Sequence, residues 1–379
     1  MGFKKSRILI TGAEGFIGKN LVLRLNELSI LKVHTFVREN DIQELPLLIS
    51  EVDAVIHLAG ENRPNNQDAF FQVNHGLTND ICLAIEEEYK KNERYIPLIL
   101  ASSSQAELDN LYGKSKLAAE EEVKSLNNKT NNPCIIYRLP GVFGKWCKPN
   151  YNSVVATFCH NIANDLPINI NDNNKELTLV YIDDVISEFI NVLSNLEPGL
   201  AYKKVEPEYN ITLGELGQQI KNFNEFPTSL TVQAVGVGLS RALYSTYISY
   251  LPKKKFIHDL VQHVDSRGMF VEMLKTPDCG QISVFTAHPG VTRGSHYHHT
   301  KTEKFLVIKG DALFCFRNLI TNELVEIKVS GSFSQIVDTI PGWAHDITNI
   351  GKDELVVMLW ANENFDIDKP DTIPEKVLK

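Results

Sequence analysis

The sequence predicts an α/β fold with a doubly wound parallel sheet, followed by an all-β jelly-roll domain. In the first half of the chain, short apolar runs alternate with helical segments, which implies right-handed crossovers between parallel strands. From about Phe256 onward, short runs rich in Val, Ile and Phe alternate with turn signals, a pattern typical of an antiparallel jelly roll. We therefore expect two domains, at residues 1–252 and 253–379, with the boundary at Pro252 and the lysines after it.

Each element of the first domain follows from its local pattern. Five short apolar runs predict parallel strands at Arg7–Thr11, Val33–Val37, Ala54–Leu58, Leu98–Ser102 and Ile135–Leu139. Apolar residues at helical spacing predict helices at Gly18–Leu28, Gln72–Lys91 and Lys114–Leu126. In the second domain, turn signals separate predicted strands at Phe270–Leu274, Ile282–Phe285, Lys304–Ile308, Ala312–Phe316, Leu324–Val329 and Leu355–Trp360.

Composition narrows the class of protein. The 379 residues carry 43% hydrophobic and 22% charged side chains, as soluble globular proteins do. A net charge of −9 argues against a nucleic acid or an anionic membrane as partner, and no apolar run reaches the roughly 20 residues that span a bilayer. We expect no signal peptide, since the first apolar run is too short. The six cysteines form no CxxC pair, so we expect free thiols and a cytoplasmic protein.

A glycine motif marks the first functional site. Thr11-Gly12-Ala13-Glu14-Gly15-Phe16-Ile17-Gly18 stands between the first strand and the first helix. Glycines at these positions permit a tight turn, close approach of a pyrophosphate and close packing of the helix on the sheet. This predicts an NAD(P)-binding Rossmann domain. Arg38, at the end of the second strand, favours the extra phosphate of NADPH, although Glu39 follows it.

A tyrosine and a lysine four residues apart lie on one face of a helix and can share a proton-transfer site. Three such pairs occur, at Tyr112/Lys116, Tyr250/Lys254 and Tyr297/Lys301. Pro252 interrupts any helix under the second pair, and the third lies in strand-like sequence. Only the first pair opens a helix directly after a strand, so we predict Tyr112 and Lys116 as catalytic residues.

Three further motifs accompany the Gly motif: Asp53-Ala-Val-Ile-His-Leu-Ala-Gly60, Tyr112-x-x-x-Lys116 and Arg138-Leu-Pro-Gly-Val-Phe-Gly144. With these motifs, the first domain resembles the extended short-chain dehydrogenase/reductase family. The resemblance implies that Tyr112 exchanges a proton with the substrate oxygen, that Lys116 lowers the pKa of the phenol and holds the nicotinamide ribose, and that Leu58, Ala59 and Gly60 contact the cofactor. It assigns the catalytic serine to Ser103, with Ser104 as the alternative. The eight residues between Ser103 and Tyr112 make an unusually short loop for this family. Most of its members act on nucleotide-linked sugars.

A second motif, Gly290-x5-His296-x-His298-x4-Glu303-x6-Gly310, predicts a divalent metal site. Alternation along a strand puts His296 and His298 on one face, and the next strand returns Glu303 to the same pocket, whereas His299 points to the opposite face. Two imidazoles and a carboxylate suit Zn, Fe, Mn or Ni, and zinc is our expectation.

These residues match the first motif of the cupin family, and Pro341-Gly342-Trp343-Ala344-His345 resembles the second, with Ile340 in place of a proline. The resemblance implies His345 as the fourth ligand. Thr292-Arg293-Gly294-Ser295 and the histidines after it resemble the sugar-epimerase cupins, which implies that Arg293 contacts substrate. It also implies a homodimer, as cupin barrels commonly pair.

Together the two domains resemble bifunctional enzymes of capsular polysaccharide biosynthesis. The resemblance implies that the cupin epimerises C3 of a UDP-2-acetamido-2,6-dideoxy-4-hexulose and that the Rossmann domain reduces the C4 ketone with NADPH to give UDP-2-acetamido-2,6-dideoxy-L-talose. The C4 carbonyl acidifies the C3 proton, whose base stays open among His299, Lys304 and Asp346.

An alternative is an NAD-dependent nucleotide-sugar 4-epimerase or dehydratase whose cupin only binds sugar or dimerises. Dehydratases usually carry Asp-Glu after the catalytic residue, where this chain has Ser104-Gln105.

Overall fold

The computed structural model describes residues 6–28, 31–63, 66, 68–265, 268–271, 274, 280–363 and 368–378. The chain divides into two compact units, one of residues 1–143 with 177–210 and the other of residues 144–176 with 211–379. The domain boundary expected after residue 252 stays a prediction.

The first unit is built on a parallel sheet. The strands up to residue 212 are β1 Ser6–Thr11, β2 Leu31–Phe36, β3 Ala54–His57, β4 Leu98–Ser103, β5 Cys134–Leu139, β6 Gly141–Phe143, β7 Glu176–Tyr181, β8 Leu200–Lys203 and β9 Tyr209–Thr212. Six of them form the parallel sheet in the order β2-β1-β3-β4-β5-β8, and β6, β7 and β9 form a small second sheet. Every residue of β3 and β4 is buried, as expected of central parallel strands covered on both faces.

Helices connect these strands and continue into the second unit. They are α1 Phe16–Glu27, α2 Leu45–Glu51, α3 Leu77–Asn92, α4 Leu111–Thr130, α5 Val154–Ala163, α6 Ile182–Ser194, α7 Leu213–Asn224, α8 Phe226–Ser229 and α9 Gly238–Ile248. A π-helical turn, Phe70–Gly76, precedes α3. The helix predicted at 114–126 starts earlier because the Asn110 side chain caps it by accepting from the Gly113 amide at 2.7 Å.

The rest of the second unit is antiparallel. Its strands are β10 Ile257–Asp259, β11 Gln262–Asp265, β12 Gly268–Val271, β13 Gln281–Ala287, β14 Thr292–Tyr297, β15 Glu303–Lys309, β16 Asp311–Asn318, β17 Leu324–Ser330, β18 Gln335–Asp338, β19 Trp343–Asn349, β20 Leu355–Ala361 and β21 Ile373–Pro374. Two five-stranded sheets, β10-β18-β15-β20-β13 and β17-β16-β19-β14-β21, form the jelly roll.

The predicted fold class is therefore confirmed, with a doubly wound parallel sheet followed by an all-β region. Part of the strand predicted at Phe270–Leu274 lies outside the described residues, as does Cys279. The other five cysteines are free thiols, and four of them are buried. No helix among the described residues is long and apolar enough to cross a membrane.

Candidate functional site

The predicted cofactor turn is a backbone cradle that excludes side chains. Gly12 has a φ of +68°, and a Cβ added to it would lie 2.6 Å from the Ala59 nitrogen, while one on Gly18 would lie 2.2 Å from the Gly12 oxygen. Gly15 stands at the N-terminus of α1, where no side chain caps the helix. The first amides of α1, at Phe16 to Gly18, are thus suited to bind a pyrophosphate. The turn lies against Ala59, within the segment predicted to contact the cofactor.

Arg38 lies two residues beyond β2, at the carboxyl edge of the sheet where nucleotides bind in such folds. Its side chain is 81% exposed, and Nη2 lies 3.3 Å from Glu61 Oε2. An exposed ion pair of this kind contributes little to stability. The guanidinium is therefore available for a phosphate next to the loop that follows β3.

The loop after β3 is fixed by Asn74. The Asn74 side chain accepts from the Glu61 amide at 2.7 Å, and its Nδ2 donates to the Glu61 carbonyl and to Ser115 Oγ, each at 2.9 Å. Asn74 is buried. These hydrogen bonds join the cofactor-side loop to α4, the helix that carries the predicted catalytic pair. The sequence predictions did not assign Asn74 this role.

Tyr112, Lys116 and Ser103 are brought together in the first unit. Ser103 ends β4 and hydrogen-bonds to Tyr112. Burial raises the pKa of the Tyr112 phenol, and the hydrogen bond with Ser103 lowers it by a smaller amount. Lys116 is buried, and its Nζ donates to the Ala101 carbonyl at 2.7 Å. Burial lowers the pKa of Lys116 to about 8, despite the attraction of Glu120. Ser104, the alternative, is exposed.

The short link between Ser103 and Tyr112 is accommodated by a 3-10 turn at Ser104–Glu107. A Cβ on Gly113 would lie 2.2 Å from the Gln105 oxygen, so the first turn of α4 packs directly on this link. The glycine next to Tyr112 is thus the local reason that eight residues are enough.

A buried carboxylate holds α4 against the sheet. Glu120 is fully buried, and both of its oxygens accept from Arg138, with Nη2 at 2.8 Å from Oε2. Ser102 and Tyr202 also donate to it. Because this network ties α4 to β4, β5 and β8, it sets the depth at which Lys116 enters the site.

The four predicted metal ligands converge in the second unit. His296, His298, Glu303 and His345 each offer one ligand atom, and these atoms all lie within 4.8 Å of one another. Glu303 Oε2 is 3.1 Å from His298 Nε2 and 3.5 Å from His345 Nε2. Three imidazoles and one carboxylate form a donor set that suits zinc and related divalent metals. The residues present therefore fit the predicted ion.

The surroundings of the ligands favour the protonation states that a metal requires. Desolvation, with smaller effects of the neighbouring imidazoles, lowers the pKa of His296 to about 3. Burial acts to raise the pKa of Glu303, but the nearby histidines and Lys301 outweigh it and hold that pKa well below its usual value. Neutral imidazoles and an ionised carboxylate are the ligand forms.

Two neighbours of the ligands were not predicted. Lys301 Nζ lies 3.0 Å from Glu303 Oε1, which leaves Oε2 directed toward the imidazoles. The main-chain oxygen of Asp371 accepts a hydrogen bond from His298 Nδ1, so Nε2 of that ring carries the lone pair. Lys301 is part of the pair Tyr297/Lys301, which we did not predict to be catalytic because it lies in strand-like sequence. Nothing in the local spacing indicated Asp371.

The remaining predicted residues lie around this cluster. Arg293 is exposed, donates to the Thr286 carbonyl at 3.0 Å and has its guanidinium carbon 5.1 Å from the centroid of the Phe285 ring. His299 is absent from the ligand cluster, and its ring packs on Tyr297.

Two of the open base candidates follow cluster ligands in sequence. Lys304 follows Glu303 in β15, and its ammonium pairs with Asp338 and lies 3.9 Å from the centroid of Phe226, on the opposite strand face. Asp346 follows His345 in β19 and by the same alternation points away from the cluster.

Two families match the chain. Residues 8–211 match the NAD dependent epimerase/dehydratase family, and residues 263–373 match the polysaccharide biosynthesis C-terminal domain. A relative from Pseudomonas aeruginosa, UDP-2-acetamido-2,6-beta-L-arabino-hexul-4-ose reductase, is 54% identical over 366 residues, which are 97% of each chain.

Solved structures agree. The capsular polysaccharide assembling protein CapF of Staphylococcus aureus is 38% identical, with a TM-score of 0.63 over 98% of this chain and 100% of that one. UDP-glucuronic acid 4-epimerase of Bacillus cereus, in complex with NAD, is 18% identical with a TM-score of 0.54 over 64% of this chain and 96% of that one, a likeness of fold alone.

Proposed function

The chain belongs to the NAD dependent epimerase/dehydratase family, and from this premise we propose that it makes UDP-2-acetamido-2,6-dideoxy-L-talose from a UDP-linked 4-keto sugar in two steps. The cupin region epimerises C3, and the Rossmann domain then reduces the C4 ketone. The observation that carries the proposal is the presence of two complete residue sets, Ser103–Tyr112–Lys116 in one unit and the four-ligand cluster in the other.

The reduction is assigned to the first unit. A nicotinamide cofactor bound at the glycine turn would supply the hydride to C4. Tyr112 gives the proton to the developing alkoxide, because its raised pKa keeps the phenol protonated in the free protein. Ser103 orients the same oxygen, and the Lys116 ammonium stabilises the phenolate that remains.

The epimerisation is assigned to the second unit. A divalent cation bound by the cluster would polarise the C4 carbonyl and so acidify the hydrogen on C3. His298 is oriented for that ion by Asp371, and Lys301 restricts Glu303 to one free oxygen. Arg293 is proposed to bind the substrate. Epimerisation must precede reduction, since reduction removes the ketone that makes the C3 hydrogen acidic.

Several finer assignments belong to this proposal. The exposed Arg38 guanidinium supports NADPH over NADH, and the three imidazoles and one carboxylate support zinc. The free thiols fit the reducing cytoplasm. The homodimer is proposed from the cupin resemblance.

The test is product analysis in D2O. Wild-type protein, zinc and NADPH are incubated with a UDP-4-keto-6-deoxy-N-acetylhexosamine of unepimerised C3 configuration, and the product is resolved by NMR. We expect the L-talo product with deuterium at C3. His296→Ala should abolish deuterium incorporation at C3 while leaving intact the reduction of a 4-keto sugar that already has the product configuration. Reduction by the wild type without deuterium at C3 would instead indicate a cupin that only binds sugar or dimerises.

A further inference from the structure

One carboxylate closes the turn that joins β14 to β15. Asp371 Oδ1 accepts from the amide of His299 at 2.8 Å. Its Oδ2 accepts from the amides of Thr300 and Lys301, each at 2.7 Å, and from the Thr300 hydroxyl at 3.0 Å. Four donors thus converge on the side chain of Asp371. This residue lies 70 positions after Lys301, the last of the donor residues in the sequence.

This turn connects two of the four metal ligands. His298 precedes it and Glu303 follows it, so the conformation of the turn sets the separation of their ligand atoms, 3.1 Å between Nε2 and Oε2. The same aspartate also fixes His298 directly, through the hydrogen bond from Nδ1 to its main-chain oxygen. Lys301, whose amide binds Asp371, places its ammonium 3.0 Å from Glu303 Oε1.

We propose that Asp371 is the positioning residue of the metal site, which holds His298 and Glu303 at ligand spacing before the ion binds. The proposal rests on the function proposed for the cluster. Groups outside the ligand set that orient the ligands typically raise metal affinity by roughly 10–100-fold. Asp371 contributes through the turn and through the His298 ring.

A carboxylate is required because both oxygens must accept. An asparagine at position 371 keeps one acceptor oxygen and presents an NH2 group to amide donors on the other side. The variant Asp371→Asn therefore loses one or three hydrogen bonds, depending on the orientation of the side chain. It also places the NH2 group of the asparagine against the N–H donors of the turn. The main-chain contact to His298 remains possible, so the loss reports on the turn.

The chain offers a matched control in the same C-terminal segment. Glu375 pairs through its carboxylate with Arg317, and its amide donates to the Ser295 carbonyl at 2.8 Å. Glu375→Gln removes one negative charge and weakens the docking of this segment but does not touch the turn. Thr300→Val removes one of the four donors and serves as a milder test of the same contact.

The experiment is calorimetric titration of Zn²⁺ into full-length protein stripped of metal by a chelator, with circular dichroism to verify folding. We expect Asp371→Asn to bind Zn²⁺ about 10–100-fold more weakly than wild type, and Glu375→Gln to bind like wild type. Thr300→Val should weaken binding less. Its effect should not add to that of Asp371→Asn in the double variant, since both changes act on the same carboxylate.

Zn²⁺ binding by Asp371→Asn at wild-type affinity would overturn the inference and leave the proposed function standing. An equal loss in Glu375→Gln would also overturn it, since any loosening of the segment would then suffice. If Asp371→Asn does not fold, Thr300→Val decides, and unchanged affinity in that variant counts against the inference. Failure of the wild type to bind Zn²⁺ would reject both the inference and the proposed zinc site, and would leave the proposed reduction standing.

Discussion

We expect Lys116 to give the proposed reduction a pH limit that an ordinary lysine would not impose. Burial lowers the pKa of Lys116 to about 8 from the model-peptide value of 10.5, and the single carbonyl of Ala101 and the charge of Glu120 do not restore it. The ammonium is therefore lost above about pH 8. Because the proposed proton transfer from Tyr112 leaves a phenolate that this ammonium stabilises, we expect reduction to fail as Lys116 deprotonates.

The size of the effect follows from one titration. Above the pKa, each pH unit lowers the ammonium fraction about tenfold, so kcat/KM for the 4-keto sugar should fall to about one tenth of its plateau at pH 9. Tyr112 does not explain such a fall, because burial raises the pKa of its phenol. An unperturbed lysine would hold kcat/KM level to about pH 10.

The assay is the oxidation of NADPH, followed by absorbance between pH 6.5 and 9.5. The variant Lys116→Met is the control, since its residual activity should not change with pH over this range. A wild-type profile that stays level to pH 9.5 would refute the reasoning, and so would a fall near pH 8 that persists in Lys116→Met.

Four further outcomes are expected. Tyr112→Phe should slow NADPH oxidation by roughly 10²–10⁴-fold, the usual contribution of a general acid, while deuterium exchange at C3 continues; loss of both would mean that the two sites are not independent. Arg38→Ala should lower kcat/KM by about 10–100-fold with NADPH, because it removes a charge-assisted hydrogen bond to the 2′-phosphate, and should leave kcat/KM with NADH unchanged. An equal loss with both cofactors would count against a contact with the 2′-phosphate. Ser103→Ala should impair reduction and Ser104→Ala should not, because only Ser103 hydrogen-bonds to Tyr112 in the described structure; the reverse result would transfer the role to Ser104. Dialysis against a chelator should abolish hydrogen exchange at C3 but not the reduction of a 4-keto sugar that already has the product configuration. Added zinc should restore the exchange. Exchange that survives metal removal would exclude a metal-dependent step.

Local sequence predicted the residues whose geometry depends on nearby chain. The glycine turn needs only the strand before it and the helix after it, so the close approach of Gly12 and Gly18 was readable from their spacing. His296, His298 and Glu303 lie on consecutive strands, where alternation and one short turn bring them together. The tyrosine–lysine pair followed in the same way from the helical period.

What the sequence left open depends on segments far apart in the chain. Whether Ser103 or Ser104 faces Tyr112 depends on where β4 ends against α4, and the low pKa of Lys116 depends on the depth set by the network around Glu120. The closure by Asp371 of the turn between β14 and β15 joins these strands to a segment some 70 residues further along the chain. Periodicity carries information over one element and its neighbour, so the sequence by itself determined the fold class and predicted the residues proposed for both sites. Tertiary packing alone decided which distant residues hold those groups in place, because such contacts leave no repeat or spacing in the chain.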